Sequence, residues 1–149
     1  WGRPDMAPMI FTKNILSRKP INIFNEGKMF RDFTYIDDVV ESTFRVIFNP
    51  PKSNEEFDRN KPYPNKSWAA FRIFNVGNSN PINLMEFIYL LEKELKINSI
   101  KNFLPMQPGD VIKTAADTKS IELITAFKPN TPLSTGIKKF VDWYKTYYL

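Results

Sequence analysis

An α/β fold is what the sequence predicts, and three observations carry the prediction. Stretches with apolar residues at helical spacing alternate with short segments rich in β-branched and aromatic residues. Proline, glycine and asparagine punctuate the junctions between them. The 149 residues suffice for one domain with a sizeable core, and no internal repeat divides them.

Taken in order, Met6 to Arg18 carries Met6, Ile10, Ile15 and Leu16 and reads as a helix. Gly2 and Pro4 shape its entry, and Pro20 lies just beyond its end. Ile21 to Phe24 and Met29 to Ile36 read as two strands joined by a turn at Asn25, Glu26 and Gly27. Alternation in the second strand puts Arg31, Phe33 and Tyr35 on one face. Asp37 stands where a helix N-cap belongs, and Asp38 favours the positive end of the same helix. That helix carries Val39, Val40, Thr43, Phe44 and Ile47 on one broad apolar face and stops at Pro50-Pro51. Capping is the simplest use of the aspartate pair.

Residues 50–67, "PPKSNEEFDRNKPYPNKS", hold four prolines and read as a long surface loop. "AFRIFNVGN" is apolar enough for a buried strand. Asn83 and Glu86 form a capping-box-like start to a helix whose Leu84, Ile88, Leu91 and Leu95 are core residues. "KNFLPMQPGDVIKTAADTKSIELI" supplies a short strand, a turn at Pro108-Gly109 and a helix capped by Asp117. A closing helix from about Ser134 places Ile137, Phe140, Val141 and Tyr144 on one face.

Composition narrows the chemistry. The net charge of +5 is spread along the chain without a basic block, which suits an anionic ligand as well as a nucleic acid. The absence of Cys and His removes disulfides, thiol nucleophiles, His-based triads and the usual zinc sites, so no metal is expected. It also fits a reducing, cytoplasmic setting. No apolar run is long enough for a bilayer and no signal peptide opens the chain, so no membrane partner is expected. Trp1 stands where Met would be expected, which points to part of a longer protein.

The five glycines, at positions 2, 27, 77, 109 and 136, are too scattered to cradle a phosphate or a dinucleotide. Tyr89 and Lys93 have the spacing of a Tyr-x-x-x-Lys base, but they fall on the amphipathic helix with Ile88, Leu91 and Leu95, and chance explains them. The segment looks like a binding surface without its own reactive centre. Its most pointed feature is Arg31, set among Phe30, Phe33, Tyr35 and Ile36 in "MFRDFTYIDDVV". A charge in such a place needs an anion. Either a nearby carboxylate, Asp32 or Asp38, fills that role, or a ligand does.

Four stretches, "WGRPDMA", "RDFTYIDDVV", "FNVGNSNPINLMEFI" and "MQPGDVIKTAADT", resemble in order and spacing the C-terminal half of the extended short-chain dehydrogenase/reductase family of nucleotide-sugar epimerases, most of all UDP-glucuronate 4-epimerases. The resemblance covers nearly the whole chain. "RDFTYIDD" is shared broadly, while "GRPDMA" and "LPMQPGDV" point to the glucuronate enzymes. It implies a C-terminal substrate-binding half carrying the last elements of a Rossmann-type sheet, with NAD bound by an absent N-terminal part.

In that family the arginine matching Arg31 grips the diphosphate of the UDP-sugar, as a planar guanidinium can. The resemblance further implies Arg3 near the sugar, where a uronic acid carboxylate needs compensation. It sets Asn22 and Phe24 beside uracil and ribose, Asn80 near the nucleotide, and Gln107 and Asp110 at ribose and phosphates. Gln107 stands where many relatives carry an arginine, so that positive phosphate contact is missing.

The function implied is the substrate-binding portion of an NAD-dependent 4-epimerase interconverting UDP-glucuronate and UDP-galacturonate, a homodimer at full length. The segment alone would be inactive, with no catalytic or cofactor-binding residue of its own. Nucleotide-sugar dehydration, decarboxylation or another epimerisation is the sibling alternative. A binding module that has lost catalysis and a small basic nucleic-acid-binding domain are the readings from other classes. The last lacks any clustered basic face.

Overall fold

The computed structural model of the chain describes residues 3–149. Within them run α1 (Ala7–Leu16), β1 (Ile21–Phe24), β2 (Phe30–Asp32), α2 (Ile36–Ile47), β3 (Pro81–Asn83), α3 (Leu84–Leu95), β4 (Lys101–Leu104), α4 (Lys119–Thr125) and α5 (Leu133–Tyr148). Two compact units form. One holds residues up to Arg31 with Pro81–Thr114 and Pro132–Leu149; the other holds Asp32–Asn80 and Ala115–Thr131. Gly2, expected to shape the entry to α1, lies outside the described residues.

In the first unit β1 and β4 pair in parallel, with Ile21 opposite Lys101 and Phe24 opposite Leu104. Alternation buries Ile21 and Ile23 and turns Asn22 outward. Helix α1 packs on β1 and on α3, and α3 packs on α5. Ile88, Leu91 and Leu95 on α3 are buried with Ile137 and Val141 of α5, as the helical spacing predicts; Leu84 is only half-buried, and Phe87, which the sequence did not single out, joins the core. Each such side chain contributes about 1.5–3 kcal/mol by leaving water. Asn83 caps α3, its Oδ1 accepting from Met85 N at 2.8 Å.

For the two strands the sequence left the pairing open, and the extent of the second is corrected. The strands flanking Asn25–Gly27 do not pair with each other: β1 takes β4, and β2 takes β3. The turn is a short 3-10 segment with Asn25, Glu26 and Gly27 all in the left-handed region, and it does not fold the chain back as a hairpin. The second strand also ends at Asp32 and does not reach Ile36. Its partner β3 is three residues long and passes directly into α3, so the strand pairing stops there.

Glu92 ties the end of α3 to the strand that follows. Its Oε1 accepts from Ser99 N at 2.7 Å, from Ser99 Oγ at 2.6 Å and from Lys101 Nζ. Burial opposes its charge, but the bonds from Lys101 and Ser99 outweigh burial and hold the carboxyl below the usual range. A depressed folded pKa gives stability that is present above the unfolded pKa and lost as pH falls through the folded one. Urea midpoints should therefore drop on acidification below about pH 4.5. Glu92→Gln should flatten that acid limb and cost about 1–3 kcal/mol at neutral pH. An acid limb of equal slope in the variant would assign the transition to other carboxylates.

In the second unit α2 packs on α4. The buried stripe of α2 is Asp38 and Ser42, and the expected apolar face is turned outward: Val40, Phe44 and Ile47 are 59%, 55% and 67% exposed. Polar anchoring decides this orientation. Asp38 Oδ2 accepts from Thr131 N at 2.9 Å, and Arg45 donates to Thr125 O at 3.2 Å while its guanidinium lies over Phe127. Asp37 is not the N-cap: α2 begins at Ile36 after Tyr35, so both aspartates sit in its first turn, where the helix dipole favours them.

The long loop over residues 50–67 carries no helix or strand. The "AFRIFNVGN" strand is a further correction. Among the described residues only the Lys66–Arg72 bridge pairs it, and Phe71 and Ile73 are exposed. An apolar extended segment becomes a buried strand only when a neighbouring strand takes up its amides and carbonyls. Asp117 does serve the start of α4, its Oδ1 accepting from Lys119 N at 3.1 Å.

The fold class is α/β, but the expectation of only the last elements of a Rossmann-type sheet is corrected. The run of α/β elements begins at α1 and continues through β1, β2 and α2, and the four strands of the described residues form two separate two-stranded sheets. No helix among the described residues is long and apolar enough to cross a membrane.

Candidate functional site

Arg31 lies at the first unit's end of β2, and the anion it needs is Asp110. Arg31 Nη2 donates to Asp110 Oδ1 at 2.8 Å, with both side chains 29% exposed. Arg31 Nη1 donates to Val111 O at 2.8 Å and to Phe30 O at 2.9 Å. The backbone holds this arrangement: Phe30 N donates to Ile112 O at 2.8 Å and Thr114 N to Phe30 O at 3.2 Å, which ties β2 to residues 112–114. These side-chain bonds use Nη1 and one hydrogen of Nη2. Among the described residues no acceptor is bonded to its Nε–H. Neither Asp32 nor Asp38 is the partner weighed in the sequence reading, since both direct their carboxylates to backbone amides.

Asp110 is placed by the turn that the sequence marks. Asp110 N donates to Gln107 O at 3.2 Å, and Gly109 sits at φ +81°. Pro108 and Gly109 thus fill the central positions of a type II turn, where the second must be left-handed. Asp110 Oδ1 also accepts from Val111 N at 2.9 Å, so the carboxylate is fixed before it meets Arg31. Gln107 is exposed beside it on the same turn. The structure therefore joins three predicted residues, Arg31, Gln107 and Asp110, in one place.

The other predicted residues stand apart from that cluster. Asn22 is exposed and accepts through Oδ1 from Asn102 Nδ2 at 2.9 Å, its register partner across β1 and β4. Phe24 is half-buried at the end of β1. Arg3 is exposed and pairs with Asp5 at 2.7 Å, which raises its pKa through the hydrogen bond and the adjacent charge. Asn80 belongs to the second unit, where its N–H donates to Asp32 Oδ1 at 3.3 Å. Sequence reasoning missed two contributors. The carbonyls of Val111 and Ile112 carry no side-chain signal. The role of Asp32 was hidden by its place beside Arg31 in a strand, where neighbours point to opposite faces.

With this geometry in view, comparison with known proteins is informative. The model described as "NAD dependent epimerase/dehydratase family" matches residues 2–64. Protein CapI of Staphylococcus aureus is 43% identical over 148 residues, covering 99% of this chain and 44% of its own length. A probable UDP-glucuronate 4-epimerase of Rhizobium meliloti is 42% identical over 154 residues, with the same two shares. The crystal structure of UDP-glucuronic acid 4-epimerase from Bacillus cereus, in complex with UDP-glucuronic acid and NAD, superposes with a TM-score of 0.77 at 30% identity, covering 98% of this chain and 41% of that one. The chain thus spans less than half the length of these relatives.

These findings correct the sequence reading. A model of NAD-dependent enzymes matches from residue 2 onward, over the run of elements from α1 to α2. The restriction to a C-terminal substrate-binding fragment, the placing of NAD in an absent half and the expectation of an inactive segment are therefore withdrawn. The fit of the cofactor is a separate question, answered by the glycines. A Cβ on Gly27 would lie 2.6 Å from Met85 Sδ, and one on Gly77 would lie 2.4 Å from Ala116 Cβ. Side chains already fill those spaces, and Gly109 and Gly136 lie on other elements. The described residues do not fit a dinucleotide cradle, and no chemical step is routed through NAD here.

Proposed function

We propose that this protein works in nucleotide-sugar 4-epimerisation of the UDP-glucuronate class, and that the Arg31 cluster receives the diphosphate of a UDP-sugar. The observation that carries the reading is the arginine itself: a partly exposed guanidinium held by Asp110 and by backbone carbonyls, with no bond from its Nε–H to the described residues. Such a group is pre-oriented, so binding an anion costs little side-chain entropy. Partial burial strengthens the contact relative to open water. Similarity to proteins named for UDP-glucuronate supports the choice of sugar nucleotide.

Gln107, on the same turn as Asp110, is assigned a hydrogen bond to ribose or phosphate. Asn22 and Phe24 are assigned to the nucleoside, Asn80 to the nucleotide and Arg3 to the sugar. A homodimer in the cytoplasm belongs to the same reading.

Calorimetric titration of the chain with UDP, UDP-glucuronate and UDP-glucose tests it. Binding by all three, tightest for the glucuronate, is the expected result; no binding by any would overturn the assignment. Arg3 supplies the test of sugar choice. A uronic acid carboxylate needs a cationic partner once water is excluded, and Arg3 is exposed, with Asp5 as its ion-pair partner among the described residues. Arg3→Ala should weaken UDP-glucuronate by about tenfold while UDP-glucose changes by less than about twofold. Equal losses would assign Arg3 to the shared nucleotide or to the fold.

A further inference from the structure

Asp32 gathers backbone amides from two separate stretches of the second unit. Its Oδ2 accepts from Ser79 N at 3.0 Å and from Ala116 N at 3.2 Å, and its Oδ1 accepts from Asn80 N at 3.3 Å. Gly77 lies in the same turn. A Cβ there would come within 2.4 Å of Ala116 Cβ and 3.0 Å of Asp32 Oδ2, so only hydrogen fits. Ser79 takes the left-handed conformation at φ 53°. Its hydroxyl donates to Ala116 O at 2.9 Å and lies 2.9 Å from Thr118 Oγ1, and Thr118 in turn donates to Glu122.

The result is a clamp. Residues 77–80 are held against residues 116–118 by one carboxylate, one hydroxyl and one close backbone approach. The segment that the clamp fixes ends at Asn80, an exposed side chain with amide donors and an amide acceptor.

We propose that Asp32 is a positioning residue for the nucleotide: by fixing the backbone of Ser79 and Asn80 it presents the Asn80 amide to the UDP-sugar. This rests on the UDP-sugar reading above, through which Asn80 is assigned a ligand. A carboxylate accepting several N–H bonds makes charge-assisted contacts, stronger than those of a neutral acceptor. A loop frozen in advance does not lose that freedom again on binding. Replacing the carboxylate by an amide puts an NH2 donor against backbone donors and breaks at least one of the three bonds.

The test titrates the 149-residue chain and its variants with UDP-glucuronate and follows amide exchange at Ser79, Asn80 and Ala116. Asp32→Asn should weaken binding about tenfold and speed exchange at those three amides. Asn80→Ala should weaken binding comparably, and the double variant should lose no more than either single one. Gly77→Ala should reproduce the loss with the Asp32 side chain unaltered, and adding Ala116→Gly, which removes the closest atom, should restore much of it. That pair decides the matter if Asp32→Asn fails to fold.

Wild-type affinity in folded Asp32→Asn, or losses that simply add in the double variant, would overturn the positioning role and leave the UDP-sugar reading intact. A wild-type chain that binds neither UDP nor UDP-glucuronate would overturn both.

Discussion

Arg31→Ala is expected to lower affinity for UDP and for UDP-sugars by about 1.5–3 kcal/mol, the range for a hydrogen bond to a charged group, which is roughly 10- to 150-fold. Truncation removes the guanidinium that the proposal places against the phosphates. It also strands Asp110 and the carbonyl of Val111, which now accept from Arg31 at 2.8 Å each. Some loss of stability must therefore accompany the loss of binding, and the two have to be separated. Arg31→Lys does this. It keeps the positive charge beside Asp110 but lacks the planar fork that reaches carboxylate, carbonyl and phosphate together. The Lys variant should regain much of the thermal stability lost in Arg31→Ala while its UDP affinity stays well below wild type. Unchanged UDP binding in both variants would reduce Arg31 to a clip between β2 and residues 110–112.

Much of this architecture was legible in the sequence, and the limits of legibility follow from range. Helices α1, α3 and α5 announce themselves because a helix is written in residues three and four apart, all within one window. The Asn83 cap and the Gln107–Asp110 turn were equally local, one an oxygen reaching Met85 N and the other a Pro-Gly pair. Strand pairing was not. β1 meets β4 across some eighty residues, and nothing within Ile21–Phe24 says that its neighbour will arrive in parallel after α3.

The face of α2 was misjudged for a related reason. Its apolar stripe is plain from periodicity, but Asp38 and Arg45 find backbone partners at Thr131 and Thr125, and those distant bonds turn the polar stripe inward. At the site, resemblance flagged Arg31 and Asp110 separately. Their direct ion pair, and the Asp32 clamp beside the same strand, depended on which segments meet in space.

The largest stability effect is expected at Phe87. Its ring is 1% exposed and lies 6.2 Å from the ring of Phe11 on α1, and α3 packs on both α1 and α5. Phe87→Ala removes a whole aromatic ring from a fully buried position, and a backbone held by helix hydrogen bonds cannot collapse into the space. Lost transfer energy and the residual cavity together should cost about 3–5 kcal/mol, read as a lower urea midpoint at constant slope. Tyr89, two residues along the same helix, is 61% exposed, and Tyr89→Ala should move the midpoint by no more than about 0.5 kcal/mol. The contrast tests the packing of α3 directly, because helix propensity changes alike in both variants. It also bears on the site: α3 grows out of β3, the partner of β2, so the core under Phe87 supports the strand that carries Arg31. Below the unfolding transition, the folded Phe87→Ala protein should still bind UDP at near wild-type affinity. A binding loss without a fall in midpoint would place Phe87 in the recognition of the nucleotide and not in the core.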